Sequence, residues 1–145
     1  MSIIQDCATK PPIVASPHTT VLQALILMAT RKVGAVVVVD RDRKVLGIFT
    51  ERDNMLRVSL ERKDMEQTTL GEVMSTSVDC APPDLESGEA LSRMLLGRYR
   101  HLPVVDEHKR ILGIVSLRRL LELRVSEQET SLEYLHAYMC AGGPG

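Results

Sequence analysis

Gly34-Ala35-Val36-Val37-Val38-Val39-Asp40, the charged turn Arg41-Asp42-Arg43-Lys44, then Val45-Leu46-Gly47-Ile48-Phe49-Thr50 and Glu51-Arg52-Asp53 form the stretch on which the fold turns. Two short β-branched runs flank a polar turn, and their length and period fit strands rather than a helix, so the stretch predicts a buried β-hairpin. Asp53 then falls just past the second strand, in the first turn of whatever follows. The pattern returns at an offset of 66 residues, with Leu102-Pro103-Val104-Val105-Asp106 on the first strand and Ile111-Leu112-Gly113-Ile114-Val115-Ser116 on the second. Laid over each other without a gap, residues 17–55 and 83–121 share 11 identities in 39 pairs, including Pro17/Pro83, Ala24/Ala90, Met28/Met94, Asp40/Asp106 and Gly47/Gly113. Matches at turn and strand positions mark an internal duplication.

A chain of 145 residues is one domain's worth, so the two repeats must share a core. Formal charge is −1 with acids and bases interspersed, which argues against a nucleic-acid or polybasic membrane surface. The longest unbroken apolar runs are too short to span a bilayer, and the acidic start Gln5-Asp6 does not resemble a signal peptide. A cytoplasmic location is expected. Cys7, Cys80 and Cys140 are far apart and form no Cys-x-x-Cys pair, so they predict neither a disulfide framework nor a zinc site. With no Trp and one Phe, a bound ring would be held mainly by aliphatic side chains.

In chain order, residues 1–10 are weakly patterned, Pro11-Pro12 forces an extended entry, and Ile13-Val14 reads as a short edge strand. Val21 to Lys32 is a helix behind the threonine caps of Thr19-Thr20. Its apolar residues cover more than one stripe, which calls for contacts on two sides, one with the sheet and one with a second subunit. Glu51 to Leu60 reads as a helix opened by Thr50, and Glu61 to Thr69 as a solvated linker. Glu127 to Cys140 is a terminal amphipathic helix carrying Leu132, Leu135, Tyr138 and Met139, followed by a flexible end from Ala141. The segments are then 1–16, arm and edge strand; 17–60, first repeat; 61–72, linker; 73–124, second repeat; 125–145, terminal helix and tail.

The Leu-Pro-Val-Val-Asp strand of the second copy, the Leu-Gly-Ile strand of both and the Thr50-x-x-Asp53 element of the first, in matching order along the two copies, resemble a pair of cystathionine-β-synthase-type (CBS) domains, the Bateman module, most closely its stand-alone bacterial form. The resemblance covers nearly the whole chain. It implies an α/β (α+β) fold of two pseudo-twofold β-α-β-β-α repeats forming one disc-like module. It further implies two clefts that take adenine nucleotides, with AMP first and ADP, ATP or NAD(H) behind it, and no required cofactor beyond that ligand.

Thr50-x-x-Asp53 has a structural role open to it as a capping box before a helix. It has a functional one as well, because a carboxylate offers two acceptors for the hydroxyls of a ribose, and in the family the matching Thr and Asp contact ribose. The second copy reads Ser116-Leu117-Arg118-Arg119 and puts Arg119 where Asp53 stands. One competent and one degenerate site are expected, as in the gamma subunit of the AMP-activated kinase. By the same resemblance Arg100, His101 and Arg118, with Arg52 beside them, reach phosphate, for which a guanidinium fork is suited. The resemblance further implies that Ile13, Val14, Gly34, Ala35 and Val36 would line the base pocket, Gly34 permitting close backbone approach.

Three roles compete at this point. A regulatory nucleotide sensor would signal energy or redox state to a regulated protein in trans, assembled as a homodimer through Val21–Lys32 and Ser87–Arg98. A structural or interaction dimer would have degenerate clefts. An enzyme is disfavoured, since no nucleophile and base, phosphate-cradling glycine loop or paired carboxylates stand at supporting spacings, and no metal set joins His18, His108 and His136.

Overall fold

The computed structural model describes residues 2–140, apart from the side chains of residues 130, 131, 134, 135 and 138. After a single 3-10 turn at Ile4–Asp6, the chain runs through β1 (Val14–Ala15), α1 (Val21–Arg31), β2 (Ala35–Val39), β3 (Val45–Thr50) and α2 (Glu51–Asp53), which widens into π-helical turns at Asn54–Ser59. The second half follows with α3 (Leu70–Val73), α4 (Ser87–Gly97), β4 (His101–Val105), β5 (Ile111–Ser116) and α5 (Leu117–Cys140). The predicted hairpin is present: β2 and β3 pair antiparallel with Val37 opposite Ile48, and β1 adds on the far side of β2 in parallel.

The duplication extends to local geometry. Both hairpins shift register at the same point, between Val38 and Val39 and between Val104 and Val105. Asp40 Oδ1 accepts from the backbone N–H groups of Asp42 (2.8 Å) and Lys44 (3.0 Å), while Asp106 Oδ1 accepts from those of His108 (2.8 Å) and Arg110 (2.9 Å). A short acceptor side chain holding its own turn in this way explains why an aspartate ends the first strand of each copy.

Alternation along β2 sorts its valines. Val36 and Val38 join Val21, Ala24 and Met28 of α1, with Phe49, in one core. Val37 and Val39 face the other way and pack with Ile111, with Val14, Val45 and Ile114 at the margin. That second layer lies between the halves. There the Val45 N–H donates to the Lys109 carbonyl (3.1 Å) and the Ile111 N–H to the Arg43 carbonyl (3.0 Å), a reciprocal pair across the pseudo-dyad.

The segments that precede the repeats are exchanged. Ser75, entering the second half, pairs both ways with Ile48 of β3 at 2.9 Å, and Thr9 pairs both ways with Ile114 of β5 at 2.8 and 3.3 Å. Leu70 and Val73 complete the core of the first half, while Ile4 and Cys7 complete that of the second. Ile4 and Cys7, in a stretch that carries little pattern as sequence, are therefore core.

The outer face of α1 leaves Ile26 58% exposed, on the side the sequence reading assigns to a second subunit. Two other helices differ from their sequence reading. The helix opened by Thr50 is α-helical for three residues only; in the wider turns that follow, Val58 is buried while Arg57 reaches the carbonyls of Val73 (3.3 Å) and Met74 (2.9 Å). The terminal helix does not start at Glu127 but continues unbroken from Leu117, because no glycine or proline interrupts 117–140. Its Leu132 and Met139 are exposed. Leu135, Tyr138 and the end from Ala141 lie outside the described side chains and residues.

Candidate functional site

The end of β3 carries the Thr50-x-x-Asp53 element, and the predicted capping box forms. The Thr50 hydroxyl accepts from the Asp53 N–H at 3.2 Å, and Asp53 Oδ2 accepts from the Thr50 N–H at 3.0 Å and from its hydroxyl at 3.1 Å. The other oxygen, Oδ1, accepts from the Ser75 hydroxyl at 2.9 Å and lies 3.9 Å from Arg57 Nε. The carboxylate is 8% exposed. Its rotamer is thus fixed by the helix start on one side and by the exchanged segment on the other.

Around this carboxylate the structure gathers residues from both halves. Ala35 lies opposite Thr50 in the ladder, and the Glu51 N–H donates to the Gly34 carbonyl at 3.1 Å. A side chain on Gly34 would start 3.4 Å from the His101 ring and 3.6 Å from the Glu51 carboxyl carbon. The imidazole of the second half therefore lies within van der Waals reach of the Gly34 backbone. Burial pushes the His101 pKa below its ordinary value, with Arg100 adding to the fall and the Glu51 carboxylate opposing it.

The other predicted residues divide. Val14 lies at the layer between the halves, whereas Ile13 borders the α1-side core and presents its carbonyl to the Val37 N–H at 3.1 Å. Val36 is fully buried in that same core, so its backbone alone is left to face a ligand. Arg52 and Arg100 are exposed. The Arg118 side chain is 89% exposed and pairs with Glu122 one turn along α5 at 3.2 Å.

In the second copy the Ser116 hydroxyl still accepts from the Arg119 N–H at 3.2 Å, preserving half of the cap. Arg119 Nε donates to the Cys7 carbonyl at 3.1 Å. Cys7 is the counterpart of Val73, whose carbonyl Arg57 holds in the first copy, so Arg119 performs the clamping that Arg57 performs there. Sequence reasoning missed Ser75, Arg57 and Glu51. Extending the overlay back to Thr9/Ser75, where both copies keep a hydroxyl, carries the signal for the first. Elsewhere, Val45, Leu46, Thr76, Val78, Cys80 and Lys109 line a recess of about 290 Å³, and none of the predicted residues borders it. No cluster among the described residues could hold a metal ion, and no described helix is long and apolar enough to cross a membrane.

Two interlocked repeats, β-α-β-β-α in the first half and α-β-β-α in the second, where a single Ala81–Val104 bridge replaces the expected leading strand, with polar groups converging at their junction define the class of tandem-repeat modules foreseen from the sequence. A family model for the CBS domain matches residues 4–53 and 70–126, and the chain belongs to the CBS-domain family. It is 34% identical over 128 residues to the CBS domain-containing protein YhcV of Bacillus subtilis, covering 88% of this chain and 89% of that one. It is 37% identical over 119 residues to inosine-5'-monophosphate dehydrogenase of Methanocaldococcus jannaschii, a match that takes in 82% of this chain but only 23% of the enzyme. Among solved structures, the CBS domain pair of protein MJ0100 in complex with 5-methylthioadenosine and S-adenosyl-L-methionine superposes with a TM-score of 0.76 at 25% identity, over 84% of this chain and 98% of that one.

Proposed function

We propose that this chain is a regulatory module that binds an adenosine-containing ligand at the Asp53 junction and signals its occupancy to a separate protein. AMP is the first candidate, followed by ADP, ATP and NAD(H); S-adenosylmethionine and methylthioadenosine join them because the MJ0100 pair is described with both. The observation that carries the reading is the convergence, at one junction, of a pre-oriented carboxylate from the first half with Gly34 and the His101 ring of the second. Asp53 takes the ribose diol, backbone groups of 34–36 read the base, and Arg100, His101 and Arg52 face the phosphate. Arg118, engaged with Glu122, contributes less than the resemblance implied. The function is binding rather than catalysis, and the likeness to the dehydrogenase is confined to a minor part of that enzyme.

Calorimetry with this ligand panel on wild type and Asp53→Ala tests the assignment. Loss of two hydrogen bonds to a charged acceptor is expected to cost about 2–4 kcal/mol, which is about 30- to 1,000-fold in affinity. Equal affinity in the variant removes Asp53 from the site.

A second reading, a structural or interaction dimer, is favoured by one specific observation: both oxygens of Asp53 already have protein partners. Exposed Ile26 on α1 and Leu95 and Leu96 on α4 would supply its contacts. Mass spectrometry of the denatured protein separates the two readings, since a copurified adenine compound supports the sensor. A clean spectrum together with no binding at millimolar ligand supports the dimer.

A further inference from the structure

The Ser75 hydroxyl occupies one of the two acceptor oxygens that a sugar diol would need. We propose that Ser75 is a built-in competitor for the ligand: it caps Asp53 in the empty module, is displaced by the ribose diol, and sets the affinity of the site through that exchange. The inference rests on the reading of Asp53 as the diol acceptor and adds a residue that the reading does not contain.

The Ser75 bond is not needed to hold the halves together. The junction between β3 and the segment entering the second half is held by its own backbone pair, Ile48 with Ser75, in both directions at 2.9 Å. Arg57 adds bonds to the carbonyls of Val73 and Met74. The equivalent junction in the other half is held by the Thr9–Ile114 backbone pair and by Arg119 on the Cys7 carbonyl. In that half no carboxylate stands at the helix start, and the junction closes all the same. The fold therefore does not require a hydroxyl-to-carboxylate bond at this place.

Asp53 is 8% exposed, and a buried carboxylate oxygen without a donor is costly. Ser75 supplies that donor while the site is empty. A ribose hydroxyl is the same chemical group at the same kind of distance, so it can replace the serine without leaving the oxygen bare. Because the Ser75 backbone is fixed by Ile48, only its side-chain rotamer has to change. Oδ2, held by Thr50 N–H and hydroxyl, keeps the carboxylate plane in place during the exchange. The ligand must break one hydrogen bond to enter, and its net affinity falls by the worth of that bond.

The test is calorimetry with 5'-AMP and with 2',3'-dideoxy-AMP on wild type, Ser75→Ala, Ser75→Cys and Ser75→Thr, with melting temperatures recorded alongside. Removing the competing donor in Ser75→Ala, and weakening it in Ser75→Cys, is expected to tighten AMP binding about five- to tenfold, the worth of one net hydrogen bond. Ser75→Thr retains wild-type affinity, and the dideoxy compound gains nothing from any variant. A residue that merely supports the fold would weaken binding or leave it unchanged. If wild type binds AMP better than the dideoxy compound, but Ser75→Ala and Ser75→Cys bind AMP no better than wild type, the competitor role is overturned and the nucleotide reading stands. If wild type binds both compounds equally, or binds neither at millimolar concentration, the diol assignment itself falls, and the competitor with it.

Discussion

Gly47 and Gly113 occupy the same position in the two hairpins, and against each lies the carbonyl of a crossing lead-in segment, more tightly at Gly47. A Cβ on Gly47 would stand 2.7 Å from the Ser75 carbonyl and 2.8 Å from Met74 Sδ, where the exchanged segment crosses β3. On Gly113 the nearest atoms are the Thr9 carbonyl at 3.1 Å and Ala8 Cβ at 3.3 Å. Gly47→Ala must push a hydrogen-bonded backbone aside, so it is expected to destabilise by about 2 kcal/mol, within the range for overpacking. Gly113→Ala should cost visibly less; urea unfolding of the two variants checks the order. The pair also shows how far single residues were legible. Two glycines recurring at the offset of 66 marked a constrained backbone, but what constrained it lay on a segment far off in the chain. Ser75 stayed unread for the same reason: its partner, Asp53, is 22 residues away and adjacent only through the exchange.

At the scale of elements, the hairpins and helix starts were written locally and were read from the sequence, since turn acceptors and capping boxes depend on residues a few places apart. The Thr20 cap of α1 is one case, with Thr20 Oγ accepting from the Gln23 N–H at 3.2 Å. Helix lengths were less legible, because what shortens the α-helical part of α2 and what prolongs α5 is tertiary or is the mere lack of a stop signal. The end of α4 shows such a tertiary tie. Just past its left-handed cap at Arg98, the Tyr99 hydroxyl donates to Asp79 on the segment leading into the second half, and Arg93 stands 3.8 Å from the same carboxylate. Burial, then the bond and the charge of Asp79, raise the Tyr99 pKa well above its ordinary value of 10.0. The sign follows from linkage. The folded state holds the phenol proton more tightly, so this contribution is complete below pH 10 and is lost as pH rises through the raised value. Melting curves of wild type and Tyr99→Phe between pH 8 and 11 should therefore differ, by about 1 kcal/mol at the lower end, and converge towards the upper. A constant difference across that range would separate Tyr99 from the alkaline loss of stability.

The halves do not stand as independent bodies. Ile4, fully buried, belongs to the core formed by Leu102, Val104, Val115 and Leu120, although nearly the whole first half separates them in sequence. Ile4→Ala is expected to cost about 2–5 kcal/mol, the usual range for emptying such a core position. Its effect should appear first as faster amide exchange in β4 and β5 rather than in β1 or β2. Denaturant unfolding of wild type should be a single transition, since neither core closes without the lead-in of its neighbour. Two separated transitions would contradict that coupling.

The crossing of lead-in segments bears on what a single repeat can do. Were one half made alone, say residues 2–69, its opening turn would find no Leu102 or Val115 to cover, and its own hydrophobic layer would lack Leu70 and Val73. Two such fragments could satisfy one another only by reciprocal donation. A single repeat would therefore reach these cores by pairing with a second copy that returns the donation, at a concentration-dependent cost that the covalent link between the halves removes.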